Sequence, residues 1–371
     1  MVSNMTSKER LTRLFSQQEI DRTPIWLLFP YHRFDSYVDV YNIACYKPLL
    51  PYIDRYCDTF DRRSYGRGIF CYNGNPEILT SGLRENINGV FTDIYEVRYK
   101  DLVMRKYIET AADGKRVRHF ADDPALLERV AQIPYMPPAV DFSKYSIEKV
   151  ELGERGLMMM DLGDPLCPLY NLVSAEDFAV WSITDYKAML SFTDVMYQRV
   201  FDLYKTYLDA GIGDVFFLVG TEFAGPPLVS PGKFNELSVR YLKGIVDLIR
   251  SYGKFSIIHY HGNLFKILEG MKEIGPDGLH TIEAPPIGDC TIAQARERLG
   301  DMILIGNIQY DDLRRLEPDD VGRLSRQAIE ESKGGRFILS PTAGPYEIFI
   351  PDKMVENYIA FVNAGIKFGI N

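Results

Sequence analysis

Two histidines one residue apart, His259 and His261, close an apolar run that begins at Phe255. Residues i and i+2 of a strand share a face, so both imidazoles point the same way. Glu283 follows His261 by 22 residues (283 − 261 = 22) and closes another short run that begins at Gly278. Two imidazoles and one carboxylate form a ligand set for Zn²⁺, and equally for Fe²⁺ or Mn²⁺. The plainer alternative is a histidine that hydrogen-bonds a substrate or a buried carboxylate, with no metal.

Other polar residues follow apolar runs in the same way. Arg33 comes after Ile25–Phe29. Its guanidinium suits a carboxylate or phosphate clamp, or a surface ion pair. Asp161 and Asp164 come after Leu157–Met160, and Glu222 after Val215–Val219. Each is a candidate general acid or base, or a helix N-cap. Cys167 is a soft ligand or a small buried residue. Tyr346 and Glu347 come after Phe337–Leu339, and Tyr31, Tyr170, Tyr260 and Tyr346 either line a pocket for a flat ligand or pack.

These positions belong together if the apolar runs are parallel strands. From Gly156 onward six such runs alternate with amphipathic segments: 174–210, 231–252, 264–274, 292–299, 318–332 and 353–368. Adding strands at Ile25–Phe29 and Tyr56–Phe60 gives eight. Continuous apolar strands alternating with helices indicate a parallel sheet covered on both faces, and eight indicate a (β/α)8 TIM barrel over residues 1–371. Barrel enzymes place their chemistry at the C-terminal strand ends, where these polar residues fall. Thr6 and Glu9 predict a capping box for a helix over 7–17. Residues 90–120 differ: 94–99 and 102–108 alternate, and Asp113-Gly114 is a hairpin turn. This antiparallel β-hairpin insertion is either an edge for homodimer pairing or a lid over the barrel mouth.

The composition excludes several classes. With 42 basic and 51 acidic residues the net charge is −9, leaving no positive surplus for a nucleic-acid backbone. Five cysteines, an odd number with no CxxC, argue against a disulfide scaffold and for a cytoplasmic protein. Residues 1–13 are too polar for a signal peptide, and no apolar run reaches the ~18 residues of a membrane span. Neither GxGxxG after the first strand nor GxxxxGK[ST] occurs. A small-molecule substrate is the partner that remains.

Several segments resemble the uroporphyrinogen decarboxylase superfamily. They are Glu9-Arg10-Leu11 with Asp21-Arg22-Thr23-Pro24-Ile25-Trp26, Leu228-Val229-Ser230-Pro231 with Phe234, and His259-Tyr260-His261-Gly262-Asn263. Leu299-Gly300 through Gly306-Asn307 and Gly334-Gly335-Arg336-Phe337-Ile338-Leu339-Ser340 complete the set. The resemblance spans nearly the whole chain except Val90–Phe120, and it implies a (β/α)8 barrel.

It also implies two chemistries. True uroporphyrinogen decarboxylases remove carboxylates from a tetrapyrrole without a cofactor, using two arginines, an aspartate, a tyrosine and a late histidine. Here Arg33 matches the second arginine, Phe29 replaces the first, Asp58 stands opposite the aspartate, and the late histidine falls on Ala343. The other chemistry is zinc-dependent methyl transfer between a corrinoid protein and a thiol, with a His-x-Cys pair and a late cysteine. Here the pair is His259-x-His261 and the late cysteine again falls on Ala343. One thiolate is thus replaced by an imidazole and the other by a methyl group, and zinc held by two neutral imidazoles and the Glu283 carboxylate would keep a net +1 charge, a harder Lewis acid with an open position. Cys167, Glu222, Tyr346 or Glu347 would fill the fourth position.

The leading expectation is a metal-dependent methyltransferase. His259, His261 and Glu283 would hold zinc, Glu222 or Asp164 would act as base or orienter, and Arg33 would hold an anionic part of the substrate. Its methyl donor or acceptor would be a corrinoid protein or a thiol. The alternatives are cofactor-free decarboxylation of a tetrapyrrole or smaller analogue, and non-catalytic binding of a tetrapyrrole or corrinoid.

Overall fold

The computed structural model describes residues 5–66, 69–87, 89–112 and 114–370. In chain order its strands are β1 (Thr59–Arg63), β2 (Leu79–Ile87), β3 (Val90–Tyr99), β4 (Leu102–Ala111), β5 (Gly114–Arg118) and β6 (Gly156–Asp161). They continue with β7 (Val215–Leu218), β8 (Phe255–His259), β9 (Gly278–His280), β10 (Ile303–Ile308) and β11 (Phe337–Pro341). The sheet β1-β6-β7-β8-β9-β10-β11 is parallel throughout, with helices between consecutive strands. The architecture is TIM-barrel-like. Alternate side chains of each strand go to different cores, as the two-residue period requires. Leu157, Met159, Val215, Phe217, Ile257, Ile303, Ile305 and Ile338 pack with Trp26, Phe60 and the helix Ser7–Phe15. Met158, Met160, Phe216, Ile258, Leu279, Leu304 and Leu339 pack with the larger helix-side core.

The expected eighth strand at Ile25–Phe29 is not a strand. Trp26 N–H donates to Leu339 O at 2.9 Å, Leu339 N–H to Pro24 O at 2.9 Å, and Asp58 N–H to Ile25 O at 2.6 Å. Residues 24–26 thus lie between the two edges of the sheet, with a single parallel bridge from Ile25 to Leu339. Leu28, at φ 64, turns the chain out of the extended conformation and ends the pairing. The strand expected at Tyr56–Phe60 instead runs from Thr59 to Arg63. The strand expected over 278–283 stops at His280, and Ile282 is left-handed at φ 58.

The insertion is larger than a hairpin. Strands β2-β3-β4-β5 form an antiparallel four-stranded sheet that begins at Leu79. Asp113 of the expected Asp113-Gly114 turn lies outside the described residues. The helices follow the sequence closely. Thr6 Oγ1 accepts from Glu9 N–H at 3.1 Å and starts Ser7–Phe15. The long segment 174–210 is two helices, Ala175–Thr184 and Tyr186–Asp209, divided at Asp185. Among the described residues no helix is long and apolar enough to cross a membrane.

Candidate active site

The C-terminal ends of β8, β9 and β11 bring three histidine-linked groups together. His280 Nε2 is 2.9 Å from the Pro341 carbonyl oxygen. A carbonyl only accepts, so His280 carries its proton on Nε2 and a lone pair on Nδ1. His259 Nδ1 is 2.8 Å from that lone pair and must be the donor. The relay therefore leaves a lone pair on His259 Nε2. Burial opposes a charge on either ring: His280 is pushed down to about 3, and His259 well below its ordinary value, with Arg62 adding repulsion.

His261 stands beside this pair, its ring centroid 4.6 Å from that of His259 and its plane at 89°. Its Nδ1 is 3.0 Å from Glu283 Oε1, and Glu283 Oε2 accepts from Gly262 N–H at 2.8 Å. Burial works against the imidazolium, but the bond to Glu283 and the charges of Glu283 and Glu222 hold His261 above its ordinary value. Both Glu283 oxygens are engaged, so this carboxylate stands behind His261 as its orienting partner. Among the described residues no group of three or more His, Cys, Asp and Glu is arranged to hold a metal as it stands. The donor chemistry nevertheless fits a metal of the zinc type. A ligating histidine commonly donates its other N–H to a carboxylate or carbonyl, and His261 makes such a bond to Glu283. His259 is fixed in the same sense through His280.

The predicted acids lie together beside this pair. Burial, then the charge of Glu222, push Asp164 up to about 8, against N–H bonds from Leu166 (2.9 Å) and Cys167 (3.1 Å). Burial also raises Glu222, which accepts from Gly220 N–H at 3.0 Å. Gly220, at φ +125, permits this approach: a Cβ there would meet Asp164 Oδ1 at 2.6 Å. Cys167 is buried and its thiol is pushed well up, by burial and then by Asp164. Its sulfur contacts Asp164 N, Val219 O and Tyr170 Oη at 3.2–3.3 Å.

Arg33 is exposed, and what it supplies is a carbonyl that accepts from Arg63. The arginine at the mouth is Arg62, one residue from the end of β1, with its side chain only 12% exposed. Its Nε and Nη2 bond Asp161 Oδ2 at 3.1 and 2.9 Å, and its Nη1 bonds Tyr37 Oη at 2.5 Å. The guanidinium lies 4.8 Å from the Phe217 ring centroid, and Phe217 lies 5.2 Å from His259. Arg62 and Asp161 line a cavity of about 470 Å³ whose walls include Phe70, Phe120 and Tyr170. Phe120 follows β5, so the insertion's stem reaches this cavity.

Tyr346 stands on the rim, 55% exposed, with its ring 5.9 Å from Tyr37 and 5.6 Å from Tyr310. Glu347 is held by Tyr310 and, at 3.0 Å, by Arg314. Asp58 lies at the opposite end of the sheet, before β1 begins. It is fully engaged by Arg10 Nη1 (2.5 Å), Arg22 Nη1 (2.9 Å) and Ile25 N–H (2.9 Å), a structural arrangement far from the mouth. Sequence reasoning missed Arg62, Tyr37 and the relay role of His280. Extending the second strand by three residues would have placed Arg62 with the other strand ends.

No curated protein matches the sequence. Among solved structures, a methyltransferase from Methanosarcina mazei matches with a TM-score of 0.61 and 19% identity, covering 98% of this chain and 99% of that one. An IOLI protein with a bound zinc atom matches with a TM-score of 0.39 and 12% identity, over 62% of this chain and 83% of that one. A D-psicose 3-epimerase matches with a TM-score of 0.33 and 10% identity, over 66% and 91%. The first likeness bears on the fold alone. The uroporphyrinogen decarboxylase (URO-D) family model matches residues 103–368, which is most of the chain, and the protein belongs to that family.

Proposed function

We propose that this protein is a metal-dependent methyltransferase of the URO-D family, moving a methyl group between a methylated small molecule and a corrinoid protein or thiol. The observation that carries the reading is the pair of oriented imidazoles, each with its Nδ1 engaged from behind, at 2.8 Å for His259 and 3.0 Å for His261. His259 and His261 would hold the metal. Zinc bound there would supply Lewis acidity to an oxygen, nitrogen or sulfur group of the substrate. Glu283 and His280 orient the two ligands. Glu222, whose charge acts on His261, is the carboxylate available to join or to serve as base. Cys167 and Glu347 are less suited to a fourth position, because each is already engaged by neighbours. Asp164, held protonated at neutral pH, is a proton donor at the same wall. Arg62 with Asp161 takes the substrate-holding role expected of Arg33. The five unpaired cysteines fit a reducing cytoplasm.

The decarboxylase alternative has less support. Arg33 is exposed, Asp58 is at the far end, and Ala343 stands in the late histidine position. The test is a methyl-transfer assay. Zinc-loaded protein is mixed with reduced cobalamin and a panel of methylated amines, ethers and thiols, and methyl–cobalt formation is followed by absorbance. Transfer that a chelator abolishes supports the reading. Metal-independent loss of CO₂ from a tetrapyrrole, or tetrapyrrole binding without turnover, would replace it.

A further inference from the structure

His32 sits between two carboxylates from different elements. Its Nδ1 is 2.7 Å from Asp61 Oδ2 on β1, and its Nε2 is 2.9 Å from Glu151 Oε2 on the helix Tyr145–Leu152. The His32 backbone N–H donates to Asp61 Oδ1 at 2.9 Å. An ionised carboxylate offers only lone pairs, and a neutral imidazole has a single N–H. Both ring bonds are made together only by the imidazolium. Once the ring loses its proton, one nitrogen turns a lone pair towards a carboxylate. Asp61 is fully buried and keeps its bond to the His32 backbone, whereas the Glu151 side chain is 56% exposed. Glu151 is therefore the partner that leaves.

The surrounding charges agree with this division. Arg63 on β1 is paired with Glu148 of the same helix, and Tyr65 donates to Glu148 Oε2 at 2.5 Å. Arg155 lies 5.0 Å over the Tyr31 ring, and Tyr31 packs against His32 (4.9 Å) and Tyr41 (5.8 Å). The Asp61 bond first, and then Glu151, outweigh burial and the Arg63 charge and hold His32 above its ordinary value. The same chain segment roofs the mouth. Arg62 lies 5.1 Å from the Phe34 ring and bonds Tyr37 Oη, and Val38 N–H donates to Pro345 O at 3.2 Å.

We propose that His32 is a pH-operated latch on this roof. Protonated, it ties residues 31–38 to the helix Tyr145–Leu152 and holds Phe34 and Tyr37 against Arg62; deprotonated, it releases Glu151 and loosens them. The latch does not depend on which reaction the mouth performs. Its contribution is complete below the ordinary histidine value of about 6.5 and is lost as pH rises through the raised folded value.

The test uses the full chain. The His32 ring is titrated by NMR, with His32→Gln to assign it. Amide exchange of residues 31–38 is measured on both sides of that titration and corrected for intrinsic rate. Glu151→Gln is the informative variant, because an exposed glutamine accepts from the imidazolium and donates to the neutral ring alike. In the wild type His32 titrates above about 6.5 and protection falls roughly tenfold across the titration. In Glu151→Gln the titration moves down and the step in protection disappears. A His32 that titrates at or below the ordinary value overturns the proposal, as does protection that stays level in the wild type or keeps the same step in Glu151→Gln.

Discussion

The Nδ1 atoms of His259 and His280 are 2.8 Å apart, and the bond from His280 Nε2 to the Pro341 carbonyl sets which of them carries the proton. A backbone oxygen on the last strand thus determines where the lone pair of His259 points. The relay predicts a specific dependence. His280→Phe keeps a ring but strands the His259 N–H, while the Pro341 carbonyl still accepts from Ser340 Oγ at 3.0 Å. One orphaned donor costs about 1–3 kcal/mol, and urea unfolding should show a loss of that size. Zinc affinity, measured by competition with a chromophoric chelator, should fall about 10–100-fold. Unchanged affinity in a folded variant would mean that the relay does not orient a ligand.

Asp164 predicts a pH-dependent stability. Its folded value is raised to about 8, above that of an unfolded aspartate. The stability of the protonated form is complete below the unfolded value and is lost as pH rises to about 8, because the unfolded chain gives up a proton that the folded chain keeps. Asp164→Asn keeps the acceptor for Leu166 and Cys167 and should flatten the decline. Equal slopes in wild type and variant would place the titration elsewhere.

Arg62 and Arg33 should separate cleanly. Arg62→Lys loses the planar fork that binds Asp161 and Tyr37, and kcat/KM for methyl transfer should drop about 100-fold. Arg33→Ala removes an exposed side chain and should stay within about threefold. The reverse ranking would return the substrate clamp to Arg33.

Asp58 should behave as a structural residue. Asp58→Ala leaves the guanidiniums of Arg10 and Arg22 without their shared partner and should cost about 3–5 kcal/mol in urea unfolding. The folded fraction should keep its kcat. A stable but inactive variant would restore a catalytic role for Asp58.

Much of this was legible in the sequence. The parallel strands from Gly156 onward announce themselves as continuous apolar runs, because both of their faces are covered. His259, His261 and Glu283 stand out by period and position, and β8 pairing with β9 sets the ends of their strands side by side. Arg62 was hidden because polar Asp61, Arg62 and Arg63 continue a strand whose apolar character stops at Phe60. Pairing with β6, a tertiary interaction, carries the strand onward. Strand β2 was missed for a related reason: its side chains are largely exposed, so no alternation marks it. The segment at Ile25 reads as a strand, yet the left-handed Leu28 leaves it a single bridge. Spacing presents Glu283 as a ligand, and its engagement by both His261 and Gly262 depends on a loop geometry that spacing does not encode.

The proposed methyl transfer requires a metal held by His259 and His261. Elemental analysis of untagged protein, wild type beside His261→Ala, tests it most directly. About one zinc per chain is expected in the wild type, with its loss in the variant. No metal in either protein, even after incubation with Zn²⁺ and removal of the excess, would contradict it.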